Sequence, residues 1–528
     1  MRTLKITTAA VAVLTLASPP AWAADPLVKT TSGPISGAET AGVAAFKGVP
    51  FAAPPVGELR WRAPQAPKAW TAPRQAKAYG PDCVQNPFPG DAAPLGVTPA
   101  EDCLYMNVWT PKAALAAPKA KKPVMVWIYG GGFVNGGSSP AVYSGDRFAR
   151  DGVVLVSFNY RVGRFGFFAH PALTAANADG GLLGNYALLD QIAALKWVRD
   201  NIEAFGGDPS NVTVFGESAG GLSLHALLTS PLAKGLFQKA IIQSGGGRPR
   251  LLPTLPLKAA GDERSAETAG KAFAAKAGVT GEDAAALAAL RALPANAVVD
   301  GLNMATSGVP TWGGGPMIDG TILPREPLAS YAAGAWSKMP VMVGATGADG
   351  FFFGGTPDQI YAPFGDRRAA AEALYNPDGK APIAVYGWKA AGDRMFLEPA
   401  RKIVRTLSAQ GAPVYEFRFS YVAESQRTQW WGAPHATEIP FVFDTVDARY
   451  GAALTPADAA AAKAAHAYWI AFAKTGVPSA EGLPAWPSYQ AASDQVLDFG
   501  NAGPVAGPDP LKGRLDLTES TLPAPAAR

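Results

Sequence analysis

A serine set between glycines, in Gly216-Glu217-Ser218-Ala219-Gly220, follows directly on the apolar β-type run Asn211-Val212-Thr213-Val214-Phe215 and precedes leucines at 222, 224, 227 and 228. Strand, small residues, then helix is a strong constraint on the fold. Only residues without bulk let a chain reverse so sharply, and the reversal holds the middle side chain out where it can react. Ser218 is therefore a candidate nucleophile. Five residues are a weak signal in a chain with 58 glycines, and it is the strand before and the helix after that favour a catalytic elbow over an ordinary turn.

A serine that attacks a carbonyl needs backbone amides to hold the negative charge of the tetrahedral intermediate. Tyr129-Gly130-Gly131-Gly132-Phe133 follows the strand-like Pro123-Val124-Met125-Val126-Trp127-Ile128. Glycines there let the backbone approach a substrate, so Gly131 and Gly132, with Ala219 after the serine, are the candidate oxyanion donors. The plainer alternative is a flexible loop.

The serine also needs a base, and the chain has only four histidines. His225 lies on the helix after the elbow, facing away from the serine, and reads as structural. His170 precedes a proline in a loop and His466 sits in the alanine-rich helix from Ala459 to Phe472; both read as surface or packing residues. His435 lies in a loop between Gly432-Ala433-Pro434 and Ala436-Thr437-Glu438-Ile439-Pro440, where an imidazole can reach a neighbouring element. It is the candidate base. A carboxylate must fix the imidazole tautomer. Asp349 qualifies, in the loop Gly344-Ala345-Thr346-Gly347-Ala348-Asp349-Gly350 after the strand-like Met339 to Val343. Its competitors are Asp319, in the turn-like Met317-Ile318-Asp319-Gly320, and Glu326, between an arginine and a proline.

These residues resemble the type-B carboxylesterases, the family of cholinesterases and bacterial p-nitrobenzyl esterases within the α/β-hydrolase fold. Phe205-Gly206-Gly207-Asp208-Pro209-Ser210-Asn211 leading into the elbow is similar to the family's serine motif, and Glu101-Asp102-Cys103-Leu104-Tyr105-Met106-Asn107-Val108 to its second motif. Asn159-Tyr160-Arg161-Val162-Gly163, Gln243-Ser244-Gly245 and Trp486-Pro487-Ser488-Tyr489 extend the likeness over nearly the whole chain. The resemblance implies an α/β fold with a mostly parallel central sheet flanked by helices, and long loops around an active-site gorge. It implies Ser218 as nucleophile, His435 as base, the acid at Asp349 in the order nucleophile, acid, base, and oxyanion amides at Gly131, Gly132 and Ala219. The chain departs from the family in one place: the usual acid is glutamate after aspartate, and here it is Ala348-Asp349. Glu217 and Ser244 are implied as polar neighbours of the site, either tuning His435 or supporting it structurally. Arg60 with Glu101, and Arg161 with Asp190, resemble structural ion pairs.

The N-terminus reads as a signal peptide over residues 1–23. Arg2 and Lys5 precede an apolar stretch from Ile6 to Ala17, and small residues at Ala21 and Ala23 fit cleavage after Ala23. The stretch is short of the roughly 20 residues a membrane-spanning helix needs, and no cysteine follows it for lipid attachment. Residues 24–528 are then expected as one secreted or periplasmic domain, with an alanine-rich helical insertion near Ala259 to Leu293 and a loose tail from Thr518 to Arg528. In an oxidising compartment the only two cysteines, Cys83 and Cys103, are expected to pair, which matches the first disulfide of the family. No histidine lies at ligand spacing from either cysteine, so neither a metal nor a cofactor is expected.

Without Arg2 and Lys5 the chain keeps 44 Lys and Arg against 42 Asp and Glu, a balance of +2 that implies no nucleic-acid partner. The expected partner is a small-molecule ester, cleaved through an acyl-enzyme, with activity falling as pH drops through the histidine's range, about 6.5 for an unperturbed imidazole. A lipase, an amidase or carbamate hydrolase could use the same residues, and a non-catalytic binding module would more readily have lost the serine or histidine. Phe88 is the only aromatic between the cysteines, so no tryptophan is offered there to a quaternary ammonium. Phe351, Phe352 and Phe353, with Trp430 and Trp431, could line an apolar pocket or be ordinary core. Arg164 and Arg248, in loops near the family's gorge, are either solvated surface residues or cations that attract a carboxylate-bearing ester.

Overall fold

Runs such as Lys122–Ile128 (KPVMVWI), Val154–Phe158 (VLVSF) and Lys239–Gln243 (KAIIQ) are apolar without alternation, the pattern of strands covered on both faces. They sit at the centre of the sheet. The structure is a computed structural model and describes residues 25–117, 119, 121–248, 254–259 and 263–522. The signal-peptide reading at 1–23 lies outside them.

A small sheet is formed by β1 (Leu27–Thr30), β2 (Gly33–Ser36) and β5 (Arg74–Gln75). The large sheet takes β3 (Ala38–Thr40), β4 (Val43–Pro50), β6 (Tyr105–Pro111), β7 (Lys122–Ile128), β8 (Val154–Phe158) and β9 (Gly207–Glu217) from the first half of the chain. From the second half come β10 (Lys239–Gln243), β11 (Val341–Thr346), β12 (Val414–Phe419), β13 (Gln495–Gly500) and β14 (Gly503–Pro508). Its order is β14-β13-β12-β11-β10-β9-β7-β8-β6-β4-β3. The neighbours from β13 to β8 are parallel, and both margins are antiparallel. In a sheet of this kind the loops leaving the carboxyl ends of the parallel strands share one edge, which is where ligands bind. The elbow, the oxyanion glycines and Asp349 follow β9, β7 and β11 in turn.

Cys83 and Cys103 are joined in a disulfide and buried. Arg60 grips Glu101 with two hydrogen bonds of 2.6 and 2.7 Å and also donates to the carbonyls of Arg291 and Leu293, tying the N-terminal loops to the helical insertion. That insertion holds helices at Ala266–Lys276 and Ala284–Ala292. Arg161 and Asp190 form a fully buried bidentate pair. The expected loose tail is corrected in part: a helix covers Lys512–Glu519, and Thr518 is buried against the Tyr375 hydroxyl. That stretch is polar, so apolar periodicity could not mark it. Among the described residues no helix is long and apolar enough to cross a membrane.

Candidate active site

Ser218 has φ +55° and ψ −120°, a strained conformation for a residue with a Cβ. The strain is held from both sides. The Ser218 N–H donates to the Gln243 carbonyl of β10 at 2.9 Å, and the Ser218 carbonyl accepts from Leu222 N–H at 2.8 Å in the helix Ala219–Thr229. A Cβ at Gly220 would lie 2.0 Å from the Ile128 carbonyl, so the helix enters against the end of β7 only because that residue is glycine.

The glycine loop after β7 lies directly on the elbow. A Cβ at Gly130 would meet the Glu217 carboxylate at 2.7 Å and the Ser218 Cβ at 3.0 Å. Gly131 and Gly132 have φ of +106° and +61°, and among the described residues no group accepts a hydrogen bond from the N–H of Gly131, Gly132 or Ala219. Three free amides are thus gathered beside Ser218.

His435 and Asp349 are brought together by their loops. Ala348 pairs with Pro434 in a β-bridge, and the Ala348 N–H donates to the Ala433 carbonyl at 2.9 Å. The His435 Nδ1 then lies 2.6 Å from Asp349 Oδ1. Asp349 is saturated with donors: Gly350 N–H also reaches Oδ1 at 2.7 Å, while the Ser244 hydroxyl at 2.6 Å and Thr346 N–H at 3.1 Å reach Oδ2. Burial works against ionising this carboxyl, but His435 and the Ser244 hydrogen bond outweigh it and hold its pKa below the ordinary value. The shorter aspartate reaches the imidazole.

On the other side of the ring, His435 Nε2 makes no hydrogen bond; the Glu217 carboxylate lies 3.1 Å away, also without a bonded partner at that oxygen. Burial opposes a charged imidazole, yet Glu217 and Asp349 together raise the His435 pKa to about 9. Glu217 is itself pushed well up by burial, so the two groups compete for one proton. The net direction for His435 is upward, because Asp349 remains ionised beside it whichever of the two holds the proton. Its neighbours thus carry His435 above the roughly 6.5 of an unperturbed histidine. Glu438, raised to about 7 by burial, accepts from the Gln243 side chain at 2.9 Å and adds to the negative field.

The other candidates are placed elsewhere. His225 is buried against the Tyr331 hydroxyl, His170 caps the helix Pro171–Ala176, and His466 contacts the Val442 carbonyl. Asp319 accepts three backbone N–H groups of its own turn, and Glu326 precedes the helix Pro327–Ala332. Both views of the two arginines are corrected. Arg164 is buried in a one-turn helix, spent on the carbonyls of Val298, Val299 and Thr311, and Arg248 is bound bidentately by Glu398. Of the aromatics, Phe351 packs on the His435 ring at 5.0 Å, Phe352 turns toward Gly387, and Phe353 stands 95% exposed. Trp430 packs against the core and Trp431 is 45% exposed. Two residues carried no sequence signal. Phe396 covers His435 at 4.8 Å from a π-helical turn, and the Trp388 indole N–H donates to the carbonyls of both Ala348 and Asp349, at 2.9 and 3.1 Å.

No three His, Cys, Asp or Glu side chains are grouped as metal ligands among the described residues. A doubly covered, mostly parallel sheet with a serine elbow at the end of a central strand defines an α/β-hydrolase. A sequence model of the carboxylesterase family matches residues 24–372 and 386–508. The chain is 36% identical to the fumonisin B1 esterase of Sphingopyxis macrogoltabida over 92% of its own length and 88% of that protein. It is 38% identical to the para-nitrobenzyl esterase of Bacillus subtilis over 89% of its length and 94% of that protein. A solved PNB esterase structure superposes with a TM-score of 0.79 at 33% identity, covering 94% of this chain and 99% of that one. A Geobacillus stearothermophilus carboxylesterase gives 0.77 at 34%, covering 93% and 99%. The chain belongs to the carboxylesterase family and is a carboxylic ester hydrolase.

Proposed function

We propose that the chain cleaves small carboxylic esters by two-step acyl transfer, with Ser218 as nucleophile, His435 as base and Asp349 as the acid that orients it. The observations that carry this reading are the chain of contacts Ser244–Asp349–His435, which leaves the outer ring nitrogen of His435 without a hydrogen bond, and the strained serine of the elbow. His435 takes the Ser218 proton and the serine oxygen attacks the ester carbonyl. Gly131, Gly132 and Ala219 hold the oxyanion. The imidazolium returns its proton to the leaving alcohol; water then attacks the acyl-enzyme with the same histidine as base, releasing the acid. The open Nε2 fits this cycle, because apo hydrogen bonds to a catalytic base commonly form only in the substrate complex. Glu217 and Ser244 tune the histidine, the first by charge and the second through Asp349. The natural ester is sought among small esters such as those named for its relatives. Residues 1–23 are proposed to direct export and be removed, leaving 24–528 as one domain.

The test is stopped-flow hydrolysis of a p-nitrophenyl ester with mass spectrometry of a fluorophosphonate-treated sample. A burst of one p-nitrophenol per enzyme and a covalent mass on the Ser218 peptide are expected. Unchanged steady-state turnover in Ser218→Ala would overturn the mechanism.

A further inference from the structure

The loop that carries the oxyanion glycines has little of its own to hold it. Tyr129 is followed by Gly130-Gly131-Gly132-Phe133-Val134-Asn135-Gly136-Gly137, five glycines in eight residues, and Asn135 has the only polar side chain among them. Glycine leaves the backbone more freedom than any other residue. An oxyanion donor, by contrast, works only where it is held within about 0.5 Å of its place. Something outside the glycines must fix the loop.

Asn135 is 2% exposed, and its carboxamide joins segments that are remote in sequence. Nδ2 donates to the Asn86 carbonyl at 2.8 Å and to Gln85 Oε1 at 3.2 Å, while Oδ1 accepts from the Met304 N–H at 2.9 Å. A flipped amide would set its NH₂ against the Met304 N–H and its oxygen against the Asn86 carbonyl, so only this orientation satisfies the neighbours. Gln85 completes the junction: its Oε1 also accepts from Gly136 N–H at 2.9 Å, and its Nε2 donates to the Gly136 carbonyl at 2.7 Å. The Asn135 N–H meanwhile donates to the Gly131 carbonyl at 2.9 Å and closes the turn on the first oxyanion glycine. On the second lies Met304, whose Cγ and Sδ would be 3.4 and 3.6 Å from a Cβ at Gly132. Asn135 thus holds Gly131 through its own backbone and Gly132 through Met304.

We propose that Asn135 is a positioning residue for ester cleavage: its carboxamide locks the oxyanion loop against the segment beside Cys83 and against the Met304 loop, so that Gly131 and Gly132 meet the tetrahedral intermediate already in place. The inference rests on the oxyanion role proposed above for those two glycines. Asn135 itself touches no substrate. Its effect falls on the transition state, because a loosened loop still admits the neutral ester but no longer meets the charge that develops on its oxygen. Deleting one oxyanion donor costs about 100- to 1,000-fold in kcat, and donors loosened rather than deleted lose less, about ten- to 100-fold.

The experiment compares the wild-type protein with Asn135→Ala and with Gln85→Ala, which cuts the same junction at a half-buried residue. Active sites are counted with a fluorophosphonate, and kcat and KM for a p-nitrophenyl ester are expressed per active site. The inhibition constant of an alkyl trifluoromethyl ketone is measured beside them, since its adduct with Ser218 carries the oxyanion. In Asn135→Ala, kcat per site is expected to fall about tenfold or more with KM within about twofold, and the inhibition constant to rise by the factor that kcat/KM loses. Gln85→Ala moves both in the same direction by a smaller factor. A role in folding alone lowers the thermal midpoint and the number of active sites while kcat per site and the inhibition constant stay at wild-type values; that result overturns the proposal, as does a loss of kcat that the inhibitor does not share. Should Asn135→Ala not fold, Gln85→Ala decides by the same criterion. Ser218→Ala separates the two readings. If it abolishes turnover and the ketone inhibits the wild-type protein while kcat per site is unchanged in the junction variants, the positioning role fails and the serine mechanism stands; if turnover survives in it, the mechanism itself is lost and the inference with it.

Discussion

Asp349→Asn tests the site at its most informative point, because every oxygen of that carboxylate is engaged. Oδ1 accepts from His435 Nδ1–H and Gly350 N–H; Oδ2 accepts from the Ser244 hydroxyl and Thr346 N–H. A carboxamide can replace only one oxygen with oxygen. If its NH₂ takes the Oδ2 position, the Ser244 hydroxyl can rotate and accept, Thr346 N–H loses its partner, and His435 keeps its working tautomer. What is then lost is the charge behind the imidazolium. A hydrogen bond to a charged group is worth about 1.5–3 kcal/mol, or roughly 10- to 150-fold in rate. If the NH₂ takes the Oδ1 position, His435 must accept at Nδ1 and carry its proton on Nε2, where it cannot act as base. The comparable change in a Ser-His-Asp triad lowers kcat about 10,000-fold. The assay is kcat for a p-nitrophenyl ester, with the thermal midpoint recorded to separate folding from chemistry. A loss between these bounds is expected, with KM little changed. Adding Ser244→Ala biases the choice, because it removes the only acceptor for the NH₂ of the first orientation, whereas in the second the oxygen at Oδ2 loses the Ser244 donor and keeps Thr346 N–H. A loss below tenfold in a folded Asp349→Asn protein refutes the assignment.

Three further outcomes follow from the same geometry. Glu217→Gln removes a negative charge 3.1 Å from His435 Nε2; the imidazolium is then less favoured, so the acid limb of kcat/KM, which rises as His435 loses its proton, moves to lower pH, and a shift upward contradicts the raised pKa of about 9. Trp388→Phe keeps the ring and deletes the N–H that holds the Ala348 and Asp349 carbonyls; loosening the acid should lower kcat several-fold with KM nearly constant, and an unchanged kcat shows that the indole only packs. Cys83→Ser with Cys103→Ser opens a loop spanning 20 residues, which in the chain-entropy model costs about 3 kcal/mol; urea unfolding should register it, and a wild-type midpoint indifferent to reductant argues that the bond contributes little.

The parts legible in sequence were those whose chemistry is local. Ser218 announces itself through its own neighbours, because a sharp turn demands small residues on both sides of it, and the glycines at 130–132 do the same for the amide loop. His435 could be found by elimination among four histidines. The residues that pack around the pair were not legible. Phe396 reaches His435 across 39 positions and Trp388 reaches Asp349 across 39 as well, and neither lies in a local pattern that its role requires. The arginines failed for a related reason: sequence gives the sign of a charge but not its partner, and Glu398 lies 150 residues from Arg248. The rise in the His435 pKa likewise needs Glu217 and Asp349 on two sides of one ring, an arrangement that no single segment encodes.

The sheet order has a consequence for the timing of synthesis. Ser218 leaves β9 near the middle of the chain, Asp349 follows β11, and His435 comes only after β12, with β13 and β14 still to be added at one edge. A growing chain thus displays its serine long before it owns a base. Until about four fifths of the polypeptide has been made and β12 has paired with β11, the elbow lacks the base proposed for it. On the proposed mechanism, a fragment that ends before residue 435 carries the serine elbow without its base and is expected to be inactive on esters.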